Sequence, residues 1–279
     1  MREAVISTLR SSNYIQADET PVQVMNEPNR KNTSTSYMWV YRDGRPDKKV
    51  VLFDYRETRQ ALWPKEILSG FKGYLQTDGY TGYDWVEFSP DIIHLGCMAH
   101  ARRPFAELVK LAKTTGKSYQ AVAYFQKLYA IEKKARDEKH TPEQRHQMRM
   151  EKAAPILTEM KAWLEQSLRF AVPQSKLANA LAYMEQRWQE LNNYLLDGLL
   201  EIDNNGAENQ IRPFALGRKN WLFSASPRGA HASALFYSLI GTAVANGWNP
   251  FDYLKHLFEN IRSCKTPKDY INLLPFNIH

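Results

Sequence analysis

The spacing of apolar residues changes character once along this chain, and the change limits the folds open to it. Up to residue 97, short runs rich in Val, Ile, Tyr and Phe alternate with turn residues, which is the pattern of strands. Residues 14–25 read as a strand kinked at Pro21, and residues 37–42 as a second. The turn R-D-G-R-P-D leads into a third at 49–55, so these three form an antiparallel meander. A short helix is expected over 59–70, a fourth strand over 73–78 ending at Asp78, and a fifth over 91–97. From residue 118 to 197 the apolar period lengthens to that of a helix. Tyr124, Leu128, Ile131 and Ala135 share one face, as do Leu177, Leu181, Met184, Trp188, Leu191 and Leu195. Thr141-Pro142-Glu143-Gln144 has the form of a capping box with proline at the first helical position.

Strand-like Leu199–Ile202 follows the helical stretch, which therefore reads as an insertion into an α/β unit. Helices are expected over 205–216, 230–246 and 250–261, with residues 219–223 extended. Three meander strands, then helix, strand, helix, strand, helix, allowing one short or missing helix between Asp78 and the fifth strand, is the ribonuclease-H-like order: an antiparallel meander extended by parallel strands into a mixed sheet. The expected organisation is residues 1–117 as the first part of the core, 118–198 as the helical insertion, and 199–279 as the last core helix with C-terminal helices.

Charge is unevenly placed. The formal net charge is +7, yet residues 1–109 balance 14 basic against 14 acidic side chains. Residues 110–170 carry 13 basic and 7 acidic ones. A basic zone beside a neutral remainder suggests a polyanionic partner, although a solvated helical face has the same composition. Two cysteines, Cys97 and Cys264, make no disulfide framework, which fits a reducing cytoplasm. No apolar run is long enough to span a membrane, so no membrane partner is expected. The N-terminus lacks a signal-peptide core and opens as though within a helix, which reads as the loss of an upstream domain.

Asp18 lies inside the first expected strand, where an ionised carboxylate is costly without a partner. Asp78 ends the fourth strand, next to the first in the expected order. Glu208 falls on the first turns of the helix after the insertion, with Asp203 as a competing acid. Converging carboxylates repel one another, and a divalent cation removes that conflict; hard oxygen donors suit magnesium or manganese. Taken singly, Asp78-Gly79 is an ordinary turn and Glu208 has the spacing of a helix cap from Asn205. His94, Cys97 and His100 have the spacing of zinc ligands, but a structural site needs four and no second pair is nearby.

Several motifs in order carry a resemblance: A-D-E-T at 17–20, T-D-G-Y-T-G-Y at 77–83, G-C-M-A-H-A-R-R-P-F at 96–105, D-N-N-G-A-E-N-Q-I-R-P at 203–213, G-R-K-N-W-L-F at 217–223 and S-L-I-G-T-A-V-A-N-G at 238–247. Over nearly its whole length the chain resembles the catalytic domain of the insertion-sequence 66 family of bacterial transposases, within the wider acidic-triad group. The resemblance implies Asp18, Asp78 and Glu208 as catalytic, metal-binding acids holding two Mg (or Mn) ions. It implies cleavage of transposon-end DNA followed by strand transfer, with the ions about 3.5–4 Å apart. DNA at the transposon ends and target, a homodimer or larger assembly on it, and a cytoplasmic, nucleoid-associated location follow from the same resemblance. Cys97 and His100 belong to the family signature. Arg102 and Arg103 near a helix start, Arg212 four residues after Glu208, and Arg218, Lys219 and Trp221 are the expected DNA contacts, through phosphate neutralisation and base stacking. The other readings are a truncated, inactive DNA-binding remnant and a ribonuclease-H-like nuclease that only hydrolyses.

Overall fold

The computed structural model describes residues 1–45, 48–112 and 116–278. Its elements are α1 (Arg2–Arg10), β1 (Tyr14–Gln23), β2 (Thr35–Asp43), β3 (Val51–Arg56), α2 (Leu62–Ile67), β4 (Gly73–Gln76), β5 (Ile92–Leu95), α3 (Met98–Ala112), α4 (Lys117–Asp137), α5 (Pro142–Met148), α6 (Ala154–Arg169), α7 (Lys176–Gln186), α8 (Trp188–Asn192), α9 (Asn205–Trp221), α10 (Pro227–Ala245), α11 (Pro250–Asn260) and α12 (Pro267–Asn272). The five strands form one mixed sheet in the order β3-β2-β1-β4-β5. The meander is antiparallel, with Asp18 opposite Val40 and Trp39 opposite Asp54. Bonds from Gly73 N–H to Asp91 and from Thr77 N–H to Leu95 advance together along β4 and β5, as parallel strands require.

The chain divides into two compact units. The first comprises Met1–Leu75, Tyr80–Ile93 and the chain from Asn205 onward; the second comprises Gln76–Gly79 and His94–Asn204. In the first unit, strand alternation sorts residues onto two sheet faces. Ile15, Ala17, Trp39, Tyr41 and Leu52 pack with Val5, Ile6 and Leu9 of α1. Val22, Met38, Val40, Val51 and Phe53 pack instead with Ala207, Ile211 and Phe214 of α9.

Strand β3 is an edge, and an edge strand exposes unpaired N–H and C=O groups. Helix α10 answers them with side chains at four-residue intervals. Ser238 Oγ accepts from Phe53 N–H at 2.7 Å, and Thr242 Oγ1 accepts from Val51 N–H at 3.0 Å and donates to Val51 C=O at 3.1 Å. Asn246 Nδ2 donates to the Lys49 carbonyl at 2.6 Å. The motif at 238–247 is thus a side-chain ladder that substitutes for a sixth strand.

In the second unit, α3, α4, α6 and α7 pack around Phe105, Phe125, Leu128, Leu164 and Leu181, all fully buried. Arg149 has no exposed surface and Glu132 only 1 %. Arg149 Nε and Nη2 bond both Glu132 oxygens at 2.7 and 2.9 Å, and its remaining donors reach the carbonyls of Tyr194, Asp197 and Leu200 at 2.7–2.8 Å. Arg145 adds bonds to Glu132, Glu201 and the Gly198 carbonyl.

The expected strand at 199–202 is absent. Its backbone groups are taken one by one by Arg149 at Leu200, by Gln76 at Glu201 and by the Met98 N–H at Ile202. A backbone so captured has no ladder to offer a neighbouring strand. The expected helical run over 177–195 is likewise broken, at Arg187, into α7, α8 and a 3₁₀ turn.

Two outcomes follow. Ser238→Ala combined with Thr242→Val leaves edge N–H groups buried without acceptors and lowers unfolding free energy by about 1–3 kcal/mol per lost bond, read from the urea midpoint. For Glu132, burial pushes the carboxyl up, but Arg149 and Arg145 outweigh it and hold it below its ordinary value. A depressed folded-state value contributes stability above the unfolded value, about 4.3, and that stability is lost as pH falls. Glu132→Gln therefore flattens the acid limb of the stability profile and costs about 3–5 kcal/mol at pH 7, where it strands Arg149.

Candidate active site

In the first unit the site begins with the parity of β1. Gln16, Asp18, Thr20 and Val22 alternate with Ile15 and Ala17, so they share the sheet face that α9 covers. Two contacts bracket the way α9 lies along β1. At its start, Gly206 sits where a Cβ would come within 2.1 Å of Gln16 Oε1 and 2.3 Å of Arg42 Nη1. Farther along, Arg218 Nη1 donates to Thr20 Oγ1 at 3.1 Å and also to the Pro21 carbonyl. Glu208, two residues after Gly206, therefore lies along the stretch of β1 that carries Asp18. One of its oxygens, Oε1, is buried. Asp18 Oδ1 accepts the Glu19 N–H at 2.8 Å.

Glu19, which the sequence reading did not single out, is the next acid of the A-D-E-T motif. It pairs with Arg59 Nε at 2.6 Å, and the Arg59 guanidinium lies 3.7 Å from the centre of the Tyr80 ring. The only signal for it was adjacency to Asp18; its partner is 40 residues away.

The G-R-K-N-W-L-F segment is not extended as expected. Helix α9 continues to Trp221 and ends at Leu222, whose φ is +63°. The reason is packing: Trp221 lies seven residues after Phe214 on the same helix face, and the rings meet edge-on at 5.3 Å. Trp221 is half-buried there, whereas Phe223 is 44 % exposed. Arg212 and Lys219 are exposed on α9. Arg218 and Lys219, with Gln23, Thr33, Ser34 and Thr35, line an open groove of about 380 Å³.

In the second unit, Asp78 follows β4 in a turn completed by Gly79 at φ +88°. Thr77 Oγ1 shares a hydrogen bond with His94 Nε2 at 2.9 Å, and His94 Nδ1 lies 3.8 Å from Glu190. Cys97 is fully buried, and its sulfur accepts the Asn204 N–H at 3.2 Å. His94 and Cys97 are thus engaged inside this unit. His100 is half-buried. Asp203 accepts from the Tyr129 hydroxyl at 2.9 Å, and burial, then the Asp203 charge, raise Tyr129 far above the ordinary phenol range. Arg102 is half-buried and Arg103 exposed on the first turns of α3. Asp18 and Glu208 in the first unit and Asp78 in the second each carry carboxylate oxygens, hard donors of the kind that magnesium and manganese take.

Gly206 generates a direct test of the α9 docking. Gln16 is fully buried and tied to Arg42 at 2.6 Å and to the Tyr14 hydroxyl at 3.1 Å, so it cannot swing away. Gly206→Val overpacks this contact and lowers stability by about 1–3 kcal/mol, measured by urea unfolding.

Comparison with known proteins gives a consistent result. Residues 1–232 match the Transposase IS66 family, and residues 238–276 match the IS66 C-terminal element. The second match starts at the first residue of the α10 ladder. Among curated relatives, the uncharacterized protein y4jD of Sinorhizobium fredii is 32 % identical over 99 % of this chain and 55 % of its own length. The uncharacterized proteins y4qI and y4hP of the same organism are each 29 % identical, over 99 % and 94 % of this chain and 53 % and 50 % of their own lengths. The chain thus spans about half the length of the curated relatives it matches. No solved structure matches it. Among the described residues, no helix is long and apolar enough to cross a membrane. With family matches running from the first strand through the α10 ladder to residue 276, the chain belongs to the IS66 family of transposases.

Proposed function

We propose that this chain carries the catalytic centre of DNA transposition, on a ribonuclease-H-like core into which residues 118–198 are inserted. Asp18, Asp78 and Glu208 are its acids, and they hold two magnesium or manganese ions. The observation that carries this reading is the course of α9 along β1. The start of α9, which bears Glu208, runs alongside the strand that bears Asp18, and a strand interior gives that carboxylate no turn or cap duty; this supports the reading. Asp78 follows β4, which pairs beside β1 through the Tyr74 N–H to Asn13 carbonyl bond at 2.8 Å. Asp203 is the weaker candidate for third acid, because it holds the Tyr129 hydroxyl.

When bound, a pair of divalent ions supplies an activated nucleophile and stabilises the leaving oxygen in phosphoryl transfer. The chain's part is to fix carboxylates for those ions and to bind the DNA backbone. Lys219, Arg212 and Arg103, exposed cations, suit phosphate neutralisation; Arg102 and Arg218 border them, and Arg218 also braces α9 against β1. Trp221 contributes through the face its packing on Phe214 leaves open. The partners are transposon-end and target DNA, bound by two or more protomers in the bacterial cytoplasm at the nucleoid.

Asp18→Asn tests the assignment on DNA bearing the ends of the chain's own element. It reduces metal-dependent end cleavage by about 10³-fold or more while DNA binding survives. Full cleavage by that variant overturns the assignment. A pre-cleaved end then separates the alternatives: joining to target DNA marks a transposase, hydrolysis alone a nuclease, and binding without either a non-catalytic remnant. Lys219→Ala lowers the slope of log affinity against log salt by about 0.9, the value for one lost phosphate contact.

A further inference from the structure

By charge alone the helical block suits a surface for a polyanion such as DNA or a solvated face. Its interior contacts point elsewhere. Residues 76–79, which include Asp78, fall in one compact unit with residues 94–204, the stretch that contains the block. Two side chains of the block that reach this turn lie where α7 gives way to α8. The Tyr183 hydroxyl donates to the Asp78 carbonyl at 2.8 Å. Arg187 Nη2 donates to the Gly79 carbonyl at 3.3 Å, while its Nη1 is braced by Glu190 at 3.1 Å. Glu190 in turn holds the Gly96 N–H through its own carbonyl at 2.9 Å. The turn is shaped to receive this grip. Gly79 adopts φ +88°, and a Cβ there would stand 2.5 Å from the Tyr183 hydroxyl oxygen. The glycine of T-D-G-Y is thus required twice, by its backbone conformation and by the approach of Tyr183.

One further detail agrees with a fixed turn. On the other side of the turn, Thr77 Oγ1 is held by the buried His94. Consecutive residues 77, 78 and 79 therefore each have a partner from outside β4.

We propose that Tyr183 and Arg187 are positioning residues for Asp78, and that one role of the helical block is to clamp the turn bearing this acid. The proposal rests on the reading of Asp78 as a metal-binding carboxylate. Groups that orient a metal ligand without touching the ion commonly change metal affinity by about 10–100-fold when removed.

The test is the Mn²⁺ affinity of the purified chain, measured by calorimetry without DNA and compared with its unfolding midpoint. Tyr183→Phe keeps the ring and deletes the donor; Arg187→Gln is the second variant, in case the first does not fold. The expected result is Mn²⁺ binding weakened about 10-fold or more in either folded variant. Pre-cleaved-end joining should regain its rate at raised Mn²⁺, which a loss of folded protein would not allow. Wild-type affinity in a folded Tyr183→Phe or Arg187→Gln, with Asp18→Asn abolishing binding, overturns the clamp and leaves the acids standing. No Mn²⁺ binding by the wild-type chain overturns the reading of the acids, and the clamp with it.

Discussion

A guanidinium with no solvent exposure organises the second unit of this protein. Arg149 enters the interior at a π-helical turn, Arg149–Ala153, between α5 and α6, and all its donors find acceptors there. Burying an ion pair costs desolvation energy that its mutual attraction barely returns, so such a pair is weak evidence for stability and better evidence for a specified arrangement. Here the arrangement is visible. Arg149 and Arg145 use spare donors to capture the backbone between Tyr194 and Leu200, and Gln76, Met98, Tyr129 and Cys97 secure the residues from Glu201 to Asn204. The strap that emerges becomes α9, with Glu208 on its first turns. Two of the basic side chains that made residues 110–170 look like a DNA-binding surface are therefore interior struts.

The first unit solves a different problem. A five-stranded sheet has exposed edges, and β3 is one of them. Ser238, Thr242 and Asn246 fall on one face of α10 because four residues are close to one helical turn. That repeat carries three hydrogen-bonding side chains past Phe53, Val51 and Lys49. A strand repeats every two residues along its edge, so alternate strand residues and every fourth helix residue keep step over this distance. The motif is an instruction for covering an edge, and it accounts for polar residues in an otherwise apolar helix.

Much of this was legible in the chain. Strand alternation identified the meander, because β-branched and aromatic runs bounded by turns have few other solutions. Helical periodicity identified α4 and α7, and the capping box at Thr141 is formed as its four residues imply. Asp18 stood out because a strand interior offers an acid no local duty. The failures were of one kind. Leu199–Ile202 has strand composition but no strand, since distant side chains claimed its backbone. Residues 219–223 have the aromatic content of a strand but continue a helix, since Trp221 packs on Phe214.

The sequence by itself determined the element types of long periodic segments and the family, since these depend on residue chemistry and short-range spacing. It could not reveal Tyr183 and Arg187, which look like ordinary helix residues more than 100 positions from Asp78, or the partner of Glu19. Only the tertiary structure decided which backbone carbonyls would be held by side chains and which by strands. Such bonds join residues far apart in the chain, and no local pattern records where a donor will find its acceptor.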